Sequence, residues 1–280
     1  MVNGQIVNEI ISSVQNPRIK QLLALQQKSS ERRKTGLFVV EGQRELQHCI
    51  DAGLQIDTIF YCPDMAPNFQ LSTFNFQLTP VSPYVYEKIA YRGSTEGIIA
   101  VVKTPNRTLS SLDANRSTLT APLFIVLERV EKPGNLGAIL RSADAAGVTA
   151  VIVCDPLTDL YNPNLIRSSI GAIFTVPTVA CTSEECIAWL KQQGVQILTA
   201  QLQDSNLYYD TDMRRPTAIV MGTESTGLTP IWREAADAHI RIPMLGHLDS
   251  LNVSVSAAIL MYEAVRQRGA SSSNSSIGED

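Results

Sequence analysis

The sequence lacks the long apolar run that a membrane-spanning helix needs. No stretch reaches about 18 consecutive apolar residues, and the opening letters, MVNGQIVNEI, do not join a basic segment to an apolar one. By pattern, these absences argue against a spanning helix and a secretory leader. We therefore expect a cytoplasmic protein with no membrane partner.

Cysteine and histidine are also scarce. The 280 residues include five cysteines and three histidines, with no CxxC pair and no histidine cluster. An odd number of widely spaced cysteines predicts reduced, packed thiols rather than disulfides, and it predicts no metal site.

The chain has no overall excess of positive charge, since its formal net charge is −4. Residues 15–44 are an exception, with seven basic residues against two acidic ones. Such a patch fits contact with a phosphate backbone, and a solvated helix end with its loop explains it equally well. The candidates for this contact are Arg18, Arg32, Arg33, Lys34 and Arg44.

The apolar pattern divides the chain into two α/β parts. Residues 15–104 alternate short strands with helices, and residues 105–121 have the polar composition of a linker. Residues 122–268 alternate strong apolar runs with helical stretches, which predicts a parallel sheet covered on both faces. The runs at 123–127, 150–154, 174–179, 195–200, 217–221 and 239–243 are the expected strands. Residues 1–14 and the low-complexity stretch 269–280 are expected to be loosely ordered or disordered.

Three loops that follow expected strands combine glycine with polar groups. They span residues 128–147, 221–230 and 242–252. Ligands of parallel α/β sheets bind beyond the carboxyl ends of the strands, so the three loops predict a ligand site. The first loop has no G-x-G-x-x-G pattern, which disfavours a nicotinamide-dependent oxidoreductase.

Each loop also has a purely structural explanation. Arg141 fits a structural ion pair as well as a functional group, and Glu224 fits a helix cap or an ion pair with Arg141. Ser250 and Asn252 stand where helix caps satisfy free backbone amides. From the residues alone, both explanations stay open.

Together the three loops resemble the motifs of one family. N-L-G-A-I-L-R-S-A-D-A-A-G (135–147), M-G-T-E-S-T-G-L (221–228) and I-P-M-L-G-H-L-D-S-L-N-V-S-V-S-A-A (242–258) are similar, in order and letters, to the motifs of the SpoU (TrmH) family of the SPOUT superfamily. These are RNA ribose 2′-O-methyltransferases. F-V-V-E-G (38–42) is similar to that family's L30e-like substrate-binding domain.

The resemblance implies a fold that periodicity does not predict. The expected fold class is α/β, with a C-terminal parallel-sheet SPOUT domain that contains a deep trefoil knot. A small L30e-like α/β domain would precede it and bind RNA through the basic patch. The family works as a homodimer, and its last helix commonly packs at the subunit interface.

The resemblance also implies roles for individual residues. S-adenosyl-L-methionine is the expected cofactor, and Arg141 matches the family's catalytic arginine. The other expected catalytic positions are Asn135, Glu224, Ser250 and Asn252. The expected cofactor contacts are Ala200, Gln201, Gly222, Ile242 and Leu251.

The expected substrate is 23S ribosomal RNA, because the two-domain organisation resembles the members that act on large-subunit RNA. A tRNA substrate and a non-catalytic ribosome-assembly role remain alternatives. Arginine is a poor general base because its pKa exceeds about 12. Arg141 is therefore expected to hold phosphate and orient the 2′-hydroxyl, and His247 is a weaker candidate for the base.

Overall fold

The computed structural model describes residues 9–67, 76–91, 96–112, 121–223, 226–247 and 250–273. The chain divides into two compact units. The first comprises residues 1–105 together with 160–166, and the second comprises residues 106–159 and 167–280.

The first unit is a four-stranded sheet with short helices. In chain order it contains α1 (Pro17–Gln27), α2 (Ser29–Thr35), β1 (Leu37–Glu41), α3 (Gln43–Asp51), β2 (Ile56–Tyr61), β3 (Gln77–Pro80), α4 (Pro83–Ile89) and β4 (Ile98–Lys103). The strand order is β1-β4-β2-β3, antiparallel except for the parallel pair β2–β3. Asn16 caps α1, because its Oδ1 accepts a hydrogen bond from the Arg18 amide at 2.9 Å.

Helix α2 stands where the polar composition predicts a loop. Arg32, on α2, is 5% exposed, and its Nη1 donates to the backbone carbonyls of Leu25 (2.5 Å) and Gln26 (3.2 Å). These two carbonyls belong to the last turn of α1, where no intrahelical donor reaches them. This contact between two helices overrides the weak local signal, and Gly36 ends α2 in a left-handed conformation (φ 65°).

The second unit contains a seven-stranded sheet whose strands are all parallel, which confirms the predicted parallel sheet. Its strands are β5 (Leu123–Glu128), β6 (Ala150–Cys154), β7 (Thr178–Cys181), β8 (Gln196–Ala200), β9 (Asn206–Leu207), β10 (Thr217–Met221) and β11 (Ala238–Arg241). The strand order is β7-β6-β5-β10-β8-β11-β9, and every neighbouring pair is parallel. The sequence predicts six strands, and the short strand Asn206–Leu207 is the seventh.

The helices that accompany this sheet are α5 (Pro133–Ala145), α6 (Pro163–Ser169), α7 (Ala172–Thr175), α8 (Ser183–Gln192), α9 (Pro230–Ala235) and α10 (Val253–Ser273). α6 crosses the division between the units at residue 166. α10 continues past Gly269, where the composition predicts disorder, and residues 274–280 lie outside the described ranges. Among the described helices, none combines the length and the apolar character that crossing a bilayer requires.

Both faces of the parallel sheet are buried. Phe124, Val126 and Ile152 point into a core formed with Trp189 of α8 and Trp232 of α9. The alternate residues on the same strands are just as buried, for example Ile125, Val151 and Ile219 at 0% exposure. This double burial explains why the strands read as continuous apolar runs.

One predicted strand is only half correct. The apolar run 174–179 predicts a single strand, but Ala172–Thr175 forms the short helix α7 and β7 begins at Thr178. Pro177 lies between them and has no N–H to donate to the ladder, so the strand begins after it.

One partly buried arginine connects parts of the second unit that are far apart in the sequence. Arg268 of α10 donates through Nε to the Met213 carbonyl (3.0 Å) and through Nη1 to the Ala121 carbonyl (2.7 Å). Its Nη2 reaches the carbonyls of Pro122 (3.4 Å) and Arg215 (3.2 Å). Partial burial lowers the pKa of this guanidinium, because desolvation disfavours its charge.

We expect Arg268→Met to destabilise the second unit by about 2 kcal/mol, because it leaves four carbonyls without their charged donor. Urea unfolding followed by tryptophan fluorescence measures this, since both tryptophans of the chain lie in the second unit. Arg214→Met is the matched control, because Arg214 pairs with Asp212 in an exposed position and its loss should destabilise the unit less than the loss of Arg268. Equal losses in the two variants would contradict the structural role of Arg268.

Candidate functional site

The second unit contains a cavity of about 340 Å³ at the carboxyl edge of the parallel sheet. Ala200 ends β8, Met221 ends β10, and Ile242 follows β11, and all three line the cavity. The beginning of α10 closes it through Val253 and Leu260. A mostly apolar lining with a few polar groups is typical of a small-molecule site.

All five predicted cofactor positions line this cavity. The structure brings together Ala200, Gln201, Gly222, Ile242 and Leu251, which are spread over about fifty residues of sequence. Ser250, predicted as a catalytic position, lines it as well. The parallel topology explains the convergence, because the loops after β8, β10 and β11 leave the sheet at the same edge.

Gly222 is required by close packing of the main chain. A β carbon at this position would overlap the backbone of Gly227 and Leu228. The loop turns back at once, because the Gly227 amide donates to the Thr223 carbonyl at 3.1 Å and the two residues form an antiparallel bridge. Main-chain groups therefore form this wall of the cavity.

Gln201 presents a buried acceptor at the cavity. Its backbone amide donates to the Ile240 carbonyl (3.0 Å) and its Nε2 donates to the Gln203 carbonyl (2.9 Å). None of the described residues donates to its buried Oε1. A buried acceptor without a donor is costly, so a ligand that brings an N–H or O–H group fits this position.

Arg233 is a cavity residue that the sequence motifs do not identify. It lies on α9 and is the only charged side chain among the described residues that line the cavity. The signal available in the sequence is its position in the short helix that begins at Pro230, directly after the second loop. A guanidinium at the wall suits a carboxylate or phosphate on the ligand.

A smaller cavity of about 100 Å³ adjoins the first and shares Met221, Gly222, Thr223 and Val253 with it. Asn135, another predicted catalytic position, lines this smaller cavity. The Nδ2 of Asn252 donates to the Oδ1 of Asn135 at 3.2 Å. The start of α5 and the start of α10 therefore meet through two of the predicted catalytic residues.

Asn252 also performs the structural role that its position predicts. Its Oδ1 accepts hydrogen bonds from the backbone amide (2.9 Å) and the hydroxyl (2.6 Å) of Ser254, which makes it the N-cap of α10. One amide side chain thus caps the helix with its oxygen and reaches Asn135 with its nitrogen. The capping and active-site explanations of Asn252 are compatible.

The remaining predicted catalytic residues differ in their placement. Arg141 is exposed on α5 and lines neither cavity. Glu224 lies outside the described residues. α5 itself is held close to its neighbour, because a β carbon at Gly137 would overlap Ser168.

Two carboxylates near the strand ends are used by the fold. Asp155, after β6, accepts hydrogen bonds through Oδ2 from the hydroxyl (2.6 Å) and the amide (3.2 Å) of Ser183. Glu128, at the end of β5, is 2% exposed and accepts from the amide (2.8 Å) and the hydroxyl (2.5 Å) of Thr229. These bonds fix the starts of α8 and α9, so both carboxylates have structural roles.

The basic residues that are predicted to contact RNA differ in their exposure and in their contacts. Arg33, Lys34 and Arg44 are exposed, and the guanidinium of Arg18 lies over the Phe60 ring at 5.8 Å. Arg32 is buried against the end of α1, as described above. The prediction that Arg32 contacts phosphate therefore conflicts with its position, because its guanidinium already serves two carbonyls.

Two family models match the chain. The model of the SpoU rRNA methylase family matches residues 122–262, which is half of the chain. The model of the MRM3-like substrate binding domain matches residues 16–100.

Individual relatives agree with these matches. The 23S rRNA (uridine(2479)-2′-O)-methyltransferase of Streptomyces viridochromogenes is 30% identical over 265 residues, which cover 90% of this chain and 91% of that protein. The 23S rRNA (guanosine-2′-O-)-methyltransferase RlmB of Vibrio vulnificus is 40% identical over 185 residues, which cover 65% of this chain and 74% of that protein.

Among solved structures, the AdoMet-bound rRNA methyltransferase from Sinorhizobium meliloti superposes with a TM-score of 0.83 at 28% identity. The superposition covers 92% of this chain and 97% of that one. The expected family is confirmed: the chain belongs to the SpoU rRNA methylase family.

Proposed function

We propose that this chain is an RNA methyltransferase that transfers a methyl group from S-adenosyl-L-methionine to a ribose 2′-hydroxyl of 23S ribosomal RNA. The observation that carries the proposal is the convergence of all five predicted cofactor positions on one cavity at the carboxyl edge of the sheet. The membership of the SpoU rRNA methylase family and the 23S rRNA activity in the names of both relatives support the chemistry and the substrate.

The cavity suits this cofactor on chemical grounds. Apolar side chains such as Leu228 and Ile240 offer contacts for the adenine ring, and the acceptor Oε1 of Gln201 suits one of the amino or hydroxyl donors. Arg233 offers a positive partner for the carboxylate of the methionine end. When bound, the cofactor supplies an electrophilic methyl group on a sulfonium, which leaves as a neutral thioether.

The protein must therefore position the ribose 2′-hydroxyl that attacks this methyl group, and a base must accept the proton that the hydroxyl loses. An arginine that stays protonated above pH 12 is a poor general base. We assign Arg141 to the RNA side of the reaction, where its guanidinium holds a phosphate and orients the 2′-hydroxyl. Its exposed position on α5 suits a contact with a large substrate.

The pair Asn135–Asn252 joins the two loops that must act together. We propose that this hydrogen bond holds the start of α5 next to the start of α10, so that groups on both helices face the reacting ribose. Ser250, at the cavity, belongs to the same proposed site, as does Glu224 by its place in the second motif.

The finer architecture follows from the family. We propose that the second unit contains the family's deep trefoil knot and that the first unit has an L30e-like fold and binds RNA. The close backbone packing at Gly222 suits a tightly threaded chain, and the match to a substrate binding domain supports the RNA-binding role of the first unit. Arg18, Arg33, Lys34 and Arg44 are the basic residues that we retain for this role.

We also propose that the enzyme acts as a homodimer in the cytoplasm, where its ribosomal substrate would be found. Val255, Tyr262 and Val265 of α10 are exposed by 48%, 49% and 36%. Exposed apolar side chains along one helix suit a second copy of the chain.

The reaction is tested with methyl-labelled S-adenosylmethionine and two unmodified transcripts, 23S rRNA and pooled tRNA. We expect label in the ribosomal RNA, and we expect Arg141→Lys to reduce the rate about 100-fold because it loses the planar fork of the guanidinium. Binding of S-adenosylhomocysteine should be unchanged in the variant.

Arg214→Lys is the control, because Arg214 precedes β10 at the opposite edge of the sheet and should leave the rate unaltered. A near-normal rate for Arg141→Lys would contradict the phosphate-holding role. Label only in tRNA would overturn the substrate, and no label in either RNA would favour a non-catalytic RNA-binding role.

The role of Gln201 predicts a binding defect. We expect Gln201→Met, which keeps the length of the side chain but removes the acceptor, to weaken S-adenosylhomocysteine binding roughly tenfold. Isothermal titration calorimetry measures the dissociation constant. Gln192→Met, in an exposed position on α8, is the control, and equal affinities of the two variants would exclude a ligand contact by Gln201.

The role of Arg233 predicts discrimination between two ligands. We expect Arg233→Met to weaken the binding of S-adenosylhomocysteine roughly tenfold, through loss of a charge-assisted hydrogen bond. The binding of 5′-methylthioadenosine, which lacks the amino-acid end, should stay the same. Calorimetric titration of both ligands separates the outcomes, since an equal loss for both would place Arg233 elsewhere in the site.

A further inference from the structure

Three of the five cysteines meet at one point of the second unit. Cys154 ends β6, Cys181 ends β7, and Cys186 lies in the first half of α8. Their Sγ atoms all lie within 4.8 Å of one another, and the Sγ atoms of Cys154 and Cys181 are 4.0 Å apart. The sequence carries no CxxC signal for this cluster, because its members come from two strands and a helix.

The backbone around the cluster is firmly held. Cys154 and Cys181 are direct register partners in the parallel pair β6–β7. The start of α8 is fixed by a capping box, in which Thr182 and Glu185 exchange hydrogen bonds at 2.9 and 3.2 Å. The thiols are therefore presented in a preformed arrangement, and the positive end of the α8 dipole lies close to Cys186.

The spacing of the sulfur atoms matches metal coordination. Zn–S bonds of about 2.3 Å place the sulfurs of a tetrahedral site about 3.8 Å apart. The observed separations, 4.0 Å for one pair and at most 4.8 Å for the others, need only small side-chain rotations to reach this value. They are far longer than a disulfide bond of about 2.05 Å.

The cluster is open to solvent on one side. Cys154 and Cys186 are fully buried, whereas Cys181 is half-buried. An ion can enter past Cys181, and a water molecule can occupy the fourth coordination position there, as in zinc sites with three protein ligands. Soft thiolates select thiophilic ions rather than magnesium or calcium.

The cluster is separate from the proposed methyl-transfer site. It lies at the ends of β6 and β7, whereas the larger cavity lies at the ends of β10, β8 and β11, and β5 stands between the two groups of strands. None of the three cysteines lines either cavity. The cluster therefore needs an explanation of its own.

We propose that Cys154, Cys181 and Cys186 form a binding site for one thiophilic metal ion of the Zn²⁺ class, with the fourth position open to solvent at Cys181. Each thiol that binds loses its proton to solvent, and the metal joins the edge strand β7 and its neighbour β6 to α8. The proposal departs from the expectation from the sequence that the cysteines hold no metal.

The test uses the full chain, reduced and freed of metal by a chelator, and titrates it with Cd²⁺ as the probe. We expect an ultraviolet thiolate-to-cadmium charge-transfer band that saturates at one ion per chain. Cys181→Ser should weaken binding by more than about 100-fold, because losing a direct ligand costs more than losing a residue that only hydrogen-bonds to a ligand. Cys62→Ser, which removes a buried thiol from the first unit, should bind as the parent does.

Thermal unfolding provides the second measurement. Saturating Cd²⁺ or Zn²⁺ should raise the melting temperature of the parent and of Cys62→Ser but not that of Cys181→Ser. Because Cys181 is half-buried at a strand end, we expect its serine variant to fold, and Cys186→Ala is the alternative if it does not. Absence of the charge-transfer band in the parent, or equal affinity in Cys181→Ser, would overturn the proposal.

Discussion

The close approach of two main-chain segments at Gly222 is the contact on which the candidate site depends. Gly222 follows β10, the strand between β5 and β8, and the backbone of Gly227 and Leu228 occupies the space of its missing β carbon. The loop is therefore fixed where it leaves the sheet, and main chain rather than side chains forms this wall. What this wall offers a ligand is therefore the shape and the hydrogen-bonding groups of the main chain.

The sheet was predictable from the sequence because burial on both faces makes most residues of its central strands apolar. β5, β6, β8 and β10 match their predicted runs to within a residue or two. The prediction for the run at 174–179 is half wrong, because a short apolar segment has no period that separates strand from helix. The position of α2 depends on the contact of Arg32 with α1. Composition does not predict this contact, because it does not show which carbonyls a guanidinium will bind.

The candidate site was predictable to the extent that it is built from loops with distinctive letters. Gly222, Ile242 and Leu251 are named from the second and third motifs, Ala200 and Gln201 from the end of a preceding strand, and the structure brings all five to one cavity. Arg233 and the Oε1 of Gln201, which has no donor among the described residues, could not be singled out, because their significance comes from what faces them. The cysteine cluster escaped for the same reason: proximity in a parallel sheet joins residues that are far apart in sequence.

The parallel order of the sheet also determines when the cavity can exist. β5 pairs with β10, so that Leu123 meets Thr217, and four other strands of the same sheet lie between them in the sequence. Pairings so distant in sequence slow folding, because the entropy of closing a long loop is lost before the stabilising contact forms. During synthesis on the ribosome, β5 cannot pair with β10 until β10 has been made, and the cavity cannot form until the start of α10 has been made. We infer that the chain must be synthesised as far as Leu260 before it can bind any ligand there.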